Sequence, residues 1–396
     1  MSSLTNPYRL CAITFAGFAA LGLSACTLLP GWASDPESIS KRFKSQLESL
    51  RTSEGFPGAT AAFILPDDTT RSVAVGLADL ENEAPMTADM LQPIGRGEES
   101  FVSAIALSLE IEDTIDLDER VYTYFDTEHH DAWILELPNA KRLTLRHLLT
   151  HSSGLVDKSS EDEVRLSANT DESPIIESNW KAGDLQFAVG SESEFEPGRG
   201  FNPVEANYRF AKMVLEQTTK LTYTQLLQDR ILDTRQLNDT TPLSRSNSLN
   251  FPSGYHNTEG DATGAATIHA EAKLQRVLPE PSANDPLYSN PKDLLRWAKL
   301  LFEENALDEP YMESLFASGY RGSDRDSEFG LGVYIYETTA GEAYGYSGTT
   351  TGHETAIIYF PRYRVGVCIQ VNRDHDNDIR RYVEKLAQVV LYAIAD

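Results

Sequence analysis

The chain has 396 residues, with 60 acidic and 34 basic side chains and a formal net charge of −26 at pH 7. Phosphate backbones and anionic lipid headgroups repel so acidic a protein, which argues against nucleic-acid binding and against adsorption to anionic membranes. The length exceeds that of a typical single core and predicts one large domain or two. The acidity is typical both of proteins from salt-rich habitats and of highly soluble proteins, and both interpretations stay open.

The amino terminus is predicted to be a targeting segment. Arg9 is its one charged side chain before Asp35, and the apolar run Cys11–Leu23 is too short for a bilayer that needs about 20 helical residues. The run ends in Leu-Ser-Ala-Cys at Cys26, which resembles a bacterial lipoprotein signal; an ordinary secretory signal or an uncleaved anchor is the alternative.

We therefore predict a signal peptide over residues 1–25, a lipid anchor on Cys26 and a tether over residues 26–36. Thr27 stands where an aspartate would retain such a lipoprotein at the inner membrane. The resemblance thus implies an exported lipoprotein on the periplasmic face of the outer membrane.

A helix and a hairpin are predicted next. Two strands, Gly58–Leu65 and Arg71–Leu77, flank a polar turn. The helix is predicted before Gly55 because apolar residues recur every three or four positions: Ile39, Phe43, Leu47 and Leu50.

The stretch Ile94–Val121 is predicted to contain a central, buried helix. Gly95 and Gly97 break the preceding strand, and residues Ser100–Leu109 carry no charge and are apolar on most of the helix circumference. Two acidic residues, including Glu99, lie in the first turn, where the helix dipole favours negative charge.

This stretch resembles the central helix of the serine β-lactamase and penicillin-binding-protein superfamily, in its class C and esterase-like branch. There, I-G-S-x-x-K opens the helix and D-L-D-D-x-V follows it. The resemblance puts Arg96 where the nucleophilic serine belongs and Glu99 where its lysine belongs. The residues that match without a gap are Ile94, Gly95, Phe101, Asp116, Leu117, Asp118 and Val121.

The block Leu143–Leu155 is the most recognisable part of the resemblance, which implies a structural role below the site. Thr144 is predicted to cap a short helix that Gly154 ends. His147 and His151 are four residues apart, a spacing found in metal sites. No third ligand of the right kind is near in sequence, so we predict neither a metal nor a cofactor.

A second family element is altered after the acidic segment Val156–Pro197, which is predicted to be a solvated face or a mobile lid. The family has a Y-x-N motif six residues after a proline. Here Pro203 stands in place of the tyrosine and Glu205 in place of the asparagine. A helix that includes Glu216 follows.

A third element is altered near the carboxyl terminus, where the family carries K-T-G or H-x-G. Gly345 and Gly348 persist, Tyr346 replaces the cation, and Ser347 lies between. The other predicted elements are a helix at Tyr223–Leu237, a helix capped by Asn290, strands at Gly330–Tyr336, Thr355–Phe360 and Val365–Val371, and a helix at Asp378–Ile394. Cys368 is predicted to be a buried, inert thiol.

These substitutions predict that the family reaction is lost. A guanidinium cannot be deprotonated to act as a nucleophile, and Pro203 has no acid–base chemistry. Loss of a nucleophile unit costs on the order of a millionfold in rate, about 8 kcal/mol of barrier. Arg96 is expected to form a buried ion pair with Glu99 or Glu205, or to bind an anionic or peptide ligand together with Tyr346 and Ser347.

Two catalytic alternatives stay open. Glu99 and Glu205 could form a paired-carboxylate acid/base site like that of glycosidases. A relocated serine, at Ser100, Ser103 or Ser347, could restore a nucleophile.

The predicted fold is α+β and β-lactamase/transpeptidase-like, with an antiparallel sheet flanked by helices. Residues 37–99 and 290–396 are assigned to the sheet domain and 100–289 to an inserted, mostly helical region. The predicted function is that of a catalytically inactive envelope lipoprotein that binds a peptidoglycan peptide or an envelope protein. An active esterase, peptidase or β-lactamase-like hydrolase with a rewired site is the alternative.

Overall fold

The computed structural model describes residues 35–156, 185, 188–243, 250–257, 274–277, 286–303, 306–307, 311–316, 320–321, 327–374 and 379–395. The predicted signal peptide, the lipidated Cys26 and most of the tether lie outside the described residues. So does most of the acidic segment that was predicted to be a solvated face or a lid.

The helices are α1 (Pro36–Glu54), α2 (Glu99–Ile111), α3 (Leu145–Leu149), α4 (Glu205–Thr219), α5 (Tyr223–Leu227), α6 (Asp233–Arg235), α7 (Pro291–Phe302), α8 (Tyr311–Phe316) and α9 (Ile379–Ala395). Short 3-10 turns occupy Gly95–Glu98, Val121–Tyr124 and Ala132–Glu136, and a π-helical turn, Gln228–Leu232, joins α5 to α6.

The strands are β1 (Gly58–Ile64), β2 (Thr70–Asp79), β3 (Ala84–Pro85), β4 (Gln92–Pro93), β5 (Thr241–Pro242), β6 (Gly254–Asn257), β7 (Leu274–Val277), β8 (Leu287–Ser289), β9 (Tyr320–Arg321), β10 (Ser327–Phe329), β11 (Tyr334–Thr338), β12 (Gly341–Thr350), β13 (His353–Phe360) and β14 (Val365–Val371).

One antiparallel sheet is built from both ends of the chain. Its strand order is β3-β2-β1-β14-β13-β12-β11-β10-β9. The first and last strands in sequence pair at its centre, with Ala61 opposite Ile369 and Ala62 opposite Cys368. The prediction of an antiparallel sheet that joins the two chain ends is therefore confirmed.

The sheet separates two hydrophobic cores. Helices α1 and α9 cover one face, where Phe43 packs edge-to-face on Phe63 with ring centroids 5.1 Å apart. Helices α2 and α7 lie in the core on the other face, where Phe101 stacks on Trp297 at 4.6 Å. Both the amphipathic first helix and the buried central helix are confirmed, because their predicted apolar faces are inside.

Helix starts follow the sequence closely. The Asn290 side chain accepts a hydrogen bond from the Asp293 backbone N–H, with Pro291 in the first turn. The Thr144 side chain accepts one from the His147 backbone N–H, and both predicted caps are confirmed. The end of α3 was predicted wrongly: the helix stops at Leu149, five residues before Gly154, and the chain then turns at His151 with a φ of 54°.

Two strand predictions also needed correction. The strand predicted from Gly330 begins only at Tyr334, since Gly332 has a φ of 73° and breaks the extended backbone. The segment Ala343–Gly348, for which no strand was predicted, lies inside β12. Its glycines hid the strand pattern, because glycine disfavours strands unless a close approach requires it.

No helix in the described ranges combines the length and apolarity needed to cross a bilayer.

Candidate functional site

The site is organised around the turn Gly95–Glu98, which leads into α2 and lies against β12. A side chain at Gly348 would put its Cβ 2.6 Å from both the Arg96 backbone nitrogen and the Ile94 carbonyl oxygen. Such contact distances exclude any residue but glycine at this position. The close approach holds the start of α2, and hence Arg96, against the middle of the sheet.

The Arg96 guanidinium has three neighbours. Its Nε donates to Oε1 of Glu99 at 3.0 Å, its Nη1 donates to the Pro203 carbonyl oxygen at 2.8 Å, and its Nη2 lies 2.8 Å from Nε2 of His151. The Arg96 side chain is 28% exposed. The proline at the position of the family tyrosine thus supplies a backbone acceptor for the arginine.

Glu99 and Arg96 form a charged pair inside the protein. Burial alone would raise the pKa of Glu99, but Arg96 and His151 beside it hold that pKa below its ordinary value. Burial would lower the pKa of Arg96, but Glu99 together with the nearby phenols of Tyr334 and Tyr208 outweighs burial and raises that pKa. The ion pair predicted between these two side chains is therefore present, with both groups ionised.

His151 is a site residue that sequence reasoning assigned to a structural block. Its side chain is fully buried; Nε2 lies 3.2 Å from Oε2 of Glu99 and Nδ1 lies 2.9 Å from Nδ2 of Asn207. Asn207 was also missed as a site residue. The available signal was a second asparagine and tyrosine, Asn207-Tyr208, directly after the altered Y-x-N motif.

Glu205 does not join this cluster. Its side chain is 63% exposed, and its Oε2 accepts a hydrogen bond from Arg209, one turn later in α4, at 2.7 Å. Among the described residues the carboxylate partner of Arg96 is Glu99. The paired-carboxylate hypothesis is therefore wrong: Glu99 is buried and ion-paired, while Glu205 faces solvent on a helix surface.

Tyr346 was predicted to bind a ligand together with Arg96. It lies instead in the hydrophobic core. It is 3% exposed, and a Cβ on Gly97 would meet its ring at 2.3 Å. Burial raises the pKa of its phenol well above the ordinary value, and the hydroxyl has no hydrogen-bond partner in the described part of the chain. Strand alternation leaves the next residue, Ser347, half-buried on the other face.

The structure places no base beside the three candidate serines in the ranges that it describes. The Ser100 hydroxyl is fully buried, donates to the Gly97 carbonyl oxygen and accepts from the Trp297 indole N–H at 3.0 Å. Ser103 is fully buried, and its hydroxyl pairs with that of Tyr208. Within the described ranges, no lysine or histidine nitrogen hydrogen-bonds to either hydroxyl or to that of Ser347.

The two histidines considered for metal binding have different structural roles. His147 helps to cap α3 through Nδ1, which lies 3.2 Å from the Thr144 backbone nitrogen, whereas His151 belongs to the arginine cluster. No group of three or more histidine, cysteine, aspartate or glutamate side chains among the described residues could hold a metal ion. Cys368 is fully buried in β14, and burial raises its pKa well above the ordinary value.

A second charged cluster lies behind the site, between α2, α4 and α5. The Lys212 ammonium is 2.8 Å from Oε1 of Glu98 and lies over the Tyr223 ring, 4.4 Å from its centroid. The Tyr223 backbone N–H donates to Glu216. Burial raises the pKa of Glu216 to about 7, although that hydrogen bond and Lys212 oppose the shift.

We expect Glu99→Gln to lower the free energy of unfolding by about 3 kcal/mol at pH 7, because Arg96 would lose its buried counter-charge. The pKa of Glu99 is lower in the folded protein than in the unfolded chain, where it is about 4.3. The stabilisation is therefore present above the unfolded pKa and is lost as the pH falls through the folded pKa. Urea denaturation from pH 3 to pH 8 measures it. The exposed control, Glu205→Gln, should change stability by less than about 0.5 kcal/mol; equal effects of the two variants would contradict the buried ion pair.

The raised pKa of Glu216 predicts that stability depends on pH in the opposite direction. Its pKa is about 7 in the folded protein and about 4.3 in the unfolded chain. Stability contributed by the protonated form is thus complete below the unfolded pKa and is lost as the pH rises through the folded value. Glu216→Gln should gain stability relative to the wild type between pH 5 and pH 8 in the same unfolding assay. Glu128→Gln, at an exposed position, should show no such trend, and a flat difference for Glu216→Gln would refute the assignment.

Comparison with known proteins agrees with this architecture. Penicillin-binding protein 4* of Bacillus subtilis (strain 168) is 21% identical over 363 residues, covering 89% of this chain and 76% of that protein. An octameric penicillin-binding protein homologue from Pyrococcus abyssi has a TM-score of 0.71 at 20% identity, covering 89% of this chain and 77% of that one. The D-amino acid amidase from Ochrobactrum anthropi SV3, solved with D-phenylalanine, has a TM-score of 0.71 at 20% identity, covering 90% and 99%.

These similarities confirm the predicted β-lactamase/transpeptidase-like fold. The model of the β-lactamase family matches residues 43–391, nearly the whole described chain. The chain therefore belongs to the β-lactamase family, in which it carries an arginine–glutamate ion pair at the positions where the serine and lysine of the family motif are expected.

Proposed function

We propose that this protein is a catalytically inactive, lipid-anchored member of the β-lactamase family that binds a small ligand or a partner at the partly exposed Arg96. The single observation that carries the proposal is the ion pair between the side chains at the two motif positions. The Arg96 guanidinium and the Glu99 carboxylate neutralise each other at 3.0 Å, inside the space that a nucleophile and its base would need.

The chemistry of acyl transfer supports inactivity. A covalent acyl-enzyme requires a nucleophile beside a base, a proton relay and oxyanion donors. Arg96 cannot be a nucleophile, Glu99 is held ionised by its partners, and Pro203 contributes only its carbonyl oxygen. The neighbouring hydroxyls of Ser100 and Ser103 are buried and hydrogen-bonded within the core.

Ligand binding is supported by what surrounds the arginine. Arg96 keeps 28% of its side chain exposed, and the half-buried rings of Phe201 and Tyr334 flank Phe329, which covers His151. A guanidinium next to aromatic rings suits a ligand with both an acidic and an apolar part. The amidase with a similar fold binds an amino acid of that kind, D-phenylalanine. A peptide from peptidoglycan or a segment of an envelope protein would present the same chemistry.

An envelope location is supported by the amino-terminal motif and by the relatives, which include a penicillin-binding protein. In this proposal Cys26 carries the lipid, and Thr27 in the next position favours the periplasmic face of the outer membrane.

An active hydrolase with a rewired site is the competing function, and one residue favours it. Ser347 is half-buried beside Gly348, which touches the start of α2, and its hydroxyl makes no side-chain hydrogen bond within the described part of the chain.

Incubation of the purified full chain in detergent with a fluorescent penicillin and with p-nitrophenyl esters separates the two functions. We expect no covalent labelling and no ester turnover above the uncatalysed rate, because none of the three candidate serine hydroxyls has a base beside it among the described residues. Mass spectrometry of the intact protein detects an acyl adduct directly. Labelling that disappears in Ser347→Ala or Ser100→Ala would establish a relocated nucleophile and overturn the inactive assignment.

The lipid anchor makes a separate prediction. Expressed in a bacterial host with an outer membrane, the wild-type chain should partition into the membrane fraction and incorporate labelled palmitate. Cys26→Ser should incorporate none. Cys11→Ser is the matched control and should behave as the wild type, since Cys11 lies in the predicted signal peptide. Palmitate incorporation by Cys26→Ser would refute the anchor.

A further inference from the structure

The histidine of the arginine cluster has a hydrogen-bonding conflict that reveals its tautomer. Nε2 of His151 lies 2.8 Å from Nη2 of Arg96, which is always a donor, and 3.2 Å from Oε2 of Glu99, which is an acceptor. A ring nitrogen either carries a proton or offers a lone pair. Nε2 can therefore satisfy Arg96 or Glu99 in one tautomer, and not both.

The hydrogen bonds at Nδ1, on the opposite side of the ring, decide which of these two neighbours Nε2 satisfies. The Leu155 backbone N–H donates to Oγ of Ser153, so the Ser153 hydroxyl proton points elsewhere, toward Oδ1 of Asn207 at 2.5 Å. That distance suits O–H···O and is too short for N–H···O, which fixes the orientation of the Asn207 amide. Nδ2 of Asn207 then donates to Nδ1 of His151 at 2.9 Å.

Neutral His151 consequently carries its proton on Nε2. That proton goes to Glu99, because the carboxylate is the one acceptor of the two neighbours at Nε2. The contact between Nε2 of His151 and Nη2 of Arg96 joins two donors, so it contributes no hydrogen bond. One proton each on Nε and Nη1 of Arg96 is taken by Glu99 and by the Pro203 carbonyl oxygen. Both Nη2 protons and the second Nη1 proton then have no acceptor among the described residues, on a side chain that is 28% exposed.

We propose that Nη2 of Arg96 is the anion-binding group of this site, and that it binds a carboxylate attached to an aromatic or apolar group. The inference rests on the proposed ligand-binding function and specifies its ligand class. A carboxylate at Nη2 would give this nitrogen a charge-assisted hydrogen bond. The side chains of Phe201 and Tyr334 lie within the same aromatic cluster, with centroids 5.4 Å and 4.8 Å from that of Phe329.

The charges around His151 fit this assignment. Arg96 and Glu99 face the ring from the start of α2, Tyr208 faces it from α4 with centroids 5.1 Å apart, and Phe329 faces it from β10. Arg96 and Glu99 cancel in charge. Within the described part of the chain, an anionic ligand would therefore meet a locally neutral ion pair that still offers Nη2 as a donor, which favours weak and reversible binding.

Calorimetric titration with 3-phenylpropionate and its uncharged analogue 3-phenylpropionamide tests the proposal on the full chain in detergent. The acid should bind at least about tenfold more tightly than the amide, as a charge-assisted hydrogen bond implies. Arg96→Gln should abolish that preference. Arg199→Gln removes the same charge from an exposed arginine of the loop that leads to Phe201 and should keep it.

Asn207→Asp tests the role of the tautomer with Arg96 intact. An aspartate accepts from Nδ1 of His151 while Glu99 still accepts from Nε2, so the ring of this variant should carry a proton on both nitrogens. Nη2 of Arg96 then still has no acceptor in His151, and the preference for the acid over the amide should persist. Long-range ¹H–¹⁵N spectra of histidine-labelled wild type, assigned with His151→Gln, should place the proton on Nε2 and remain informative if Asn207→Asp fails to fold.

A proton on Nδ1, equal binding of acid and amide, or binding of neither at millimolar concentration would each overturn the inference. Covalent labelling by penicillin would overturn the inactive assignment instead, while leaving the acid–amide preference measurable. The two proposals therefore fail on different observations.

Discussion

The ion pair between Arg96 and Glu99 is the interaction on which the site depends. Removing two charges from water costs several kcal/mol per ion, and mutual attraction offsets this only where further hydrogen bonds satisfy the remaining donors and acceptors. Here Glu99 gains a proton donor in His151, and Arg96 gains the Pro203 carbonyl oxygen. The surrounding polar groups follow from this need: Asn207 orients His151, and Ser153 orients Asn207.

The residues at the two motif positions depend on each other chemically. A carboxylate at the base position of the family motif is costly to keep buried and ionised beside a neutral hydroxyl, because His151 would be its one remaining polar partner among the described residues. An arginine one helical turn earlier supplies the opposite charge and a planar set of donors that reaches both Glu99 and the loop before α4. The result is a neutral, hydrogen-bonded ion pair at the two positions where the family motif has its nucleophile and base.

The sequence predicted the framework better than the site. The helix periodicity at Ile39–Leu50, the caps at Thr144 and Asn290 and the strands at Thr355–Phe360 and Val365–Val371 depend on local patterns, and these were confirmed. The cluster at Arg96 joins segments 55 and 107 residues apart, so local patterns could propose Glu99 and could not separate it from Glu205. Burial decided that choice, since Glu205 falls on the solvent side of α4.

The glycines of β12 explain why the fold persists although side chains of the family motifs differ. A Cβ at Gly345 would lie 2.0 Å from the Ile357 carbonyl oxygen, and one at Gly348 would strike the backbone at Arg96. Both positions are fixed by backbone approach within the sheet and to α2, whichever residue occupies the nucleophile position. Tyr346, between them, contacts mainly side chains and Gly97, so a ring can replace a cation there and extend the core. Residues of the family motifs that serve packing are therefore kept in this chain, and those that serve only proton transfer are the ones replaced.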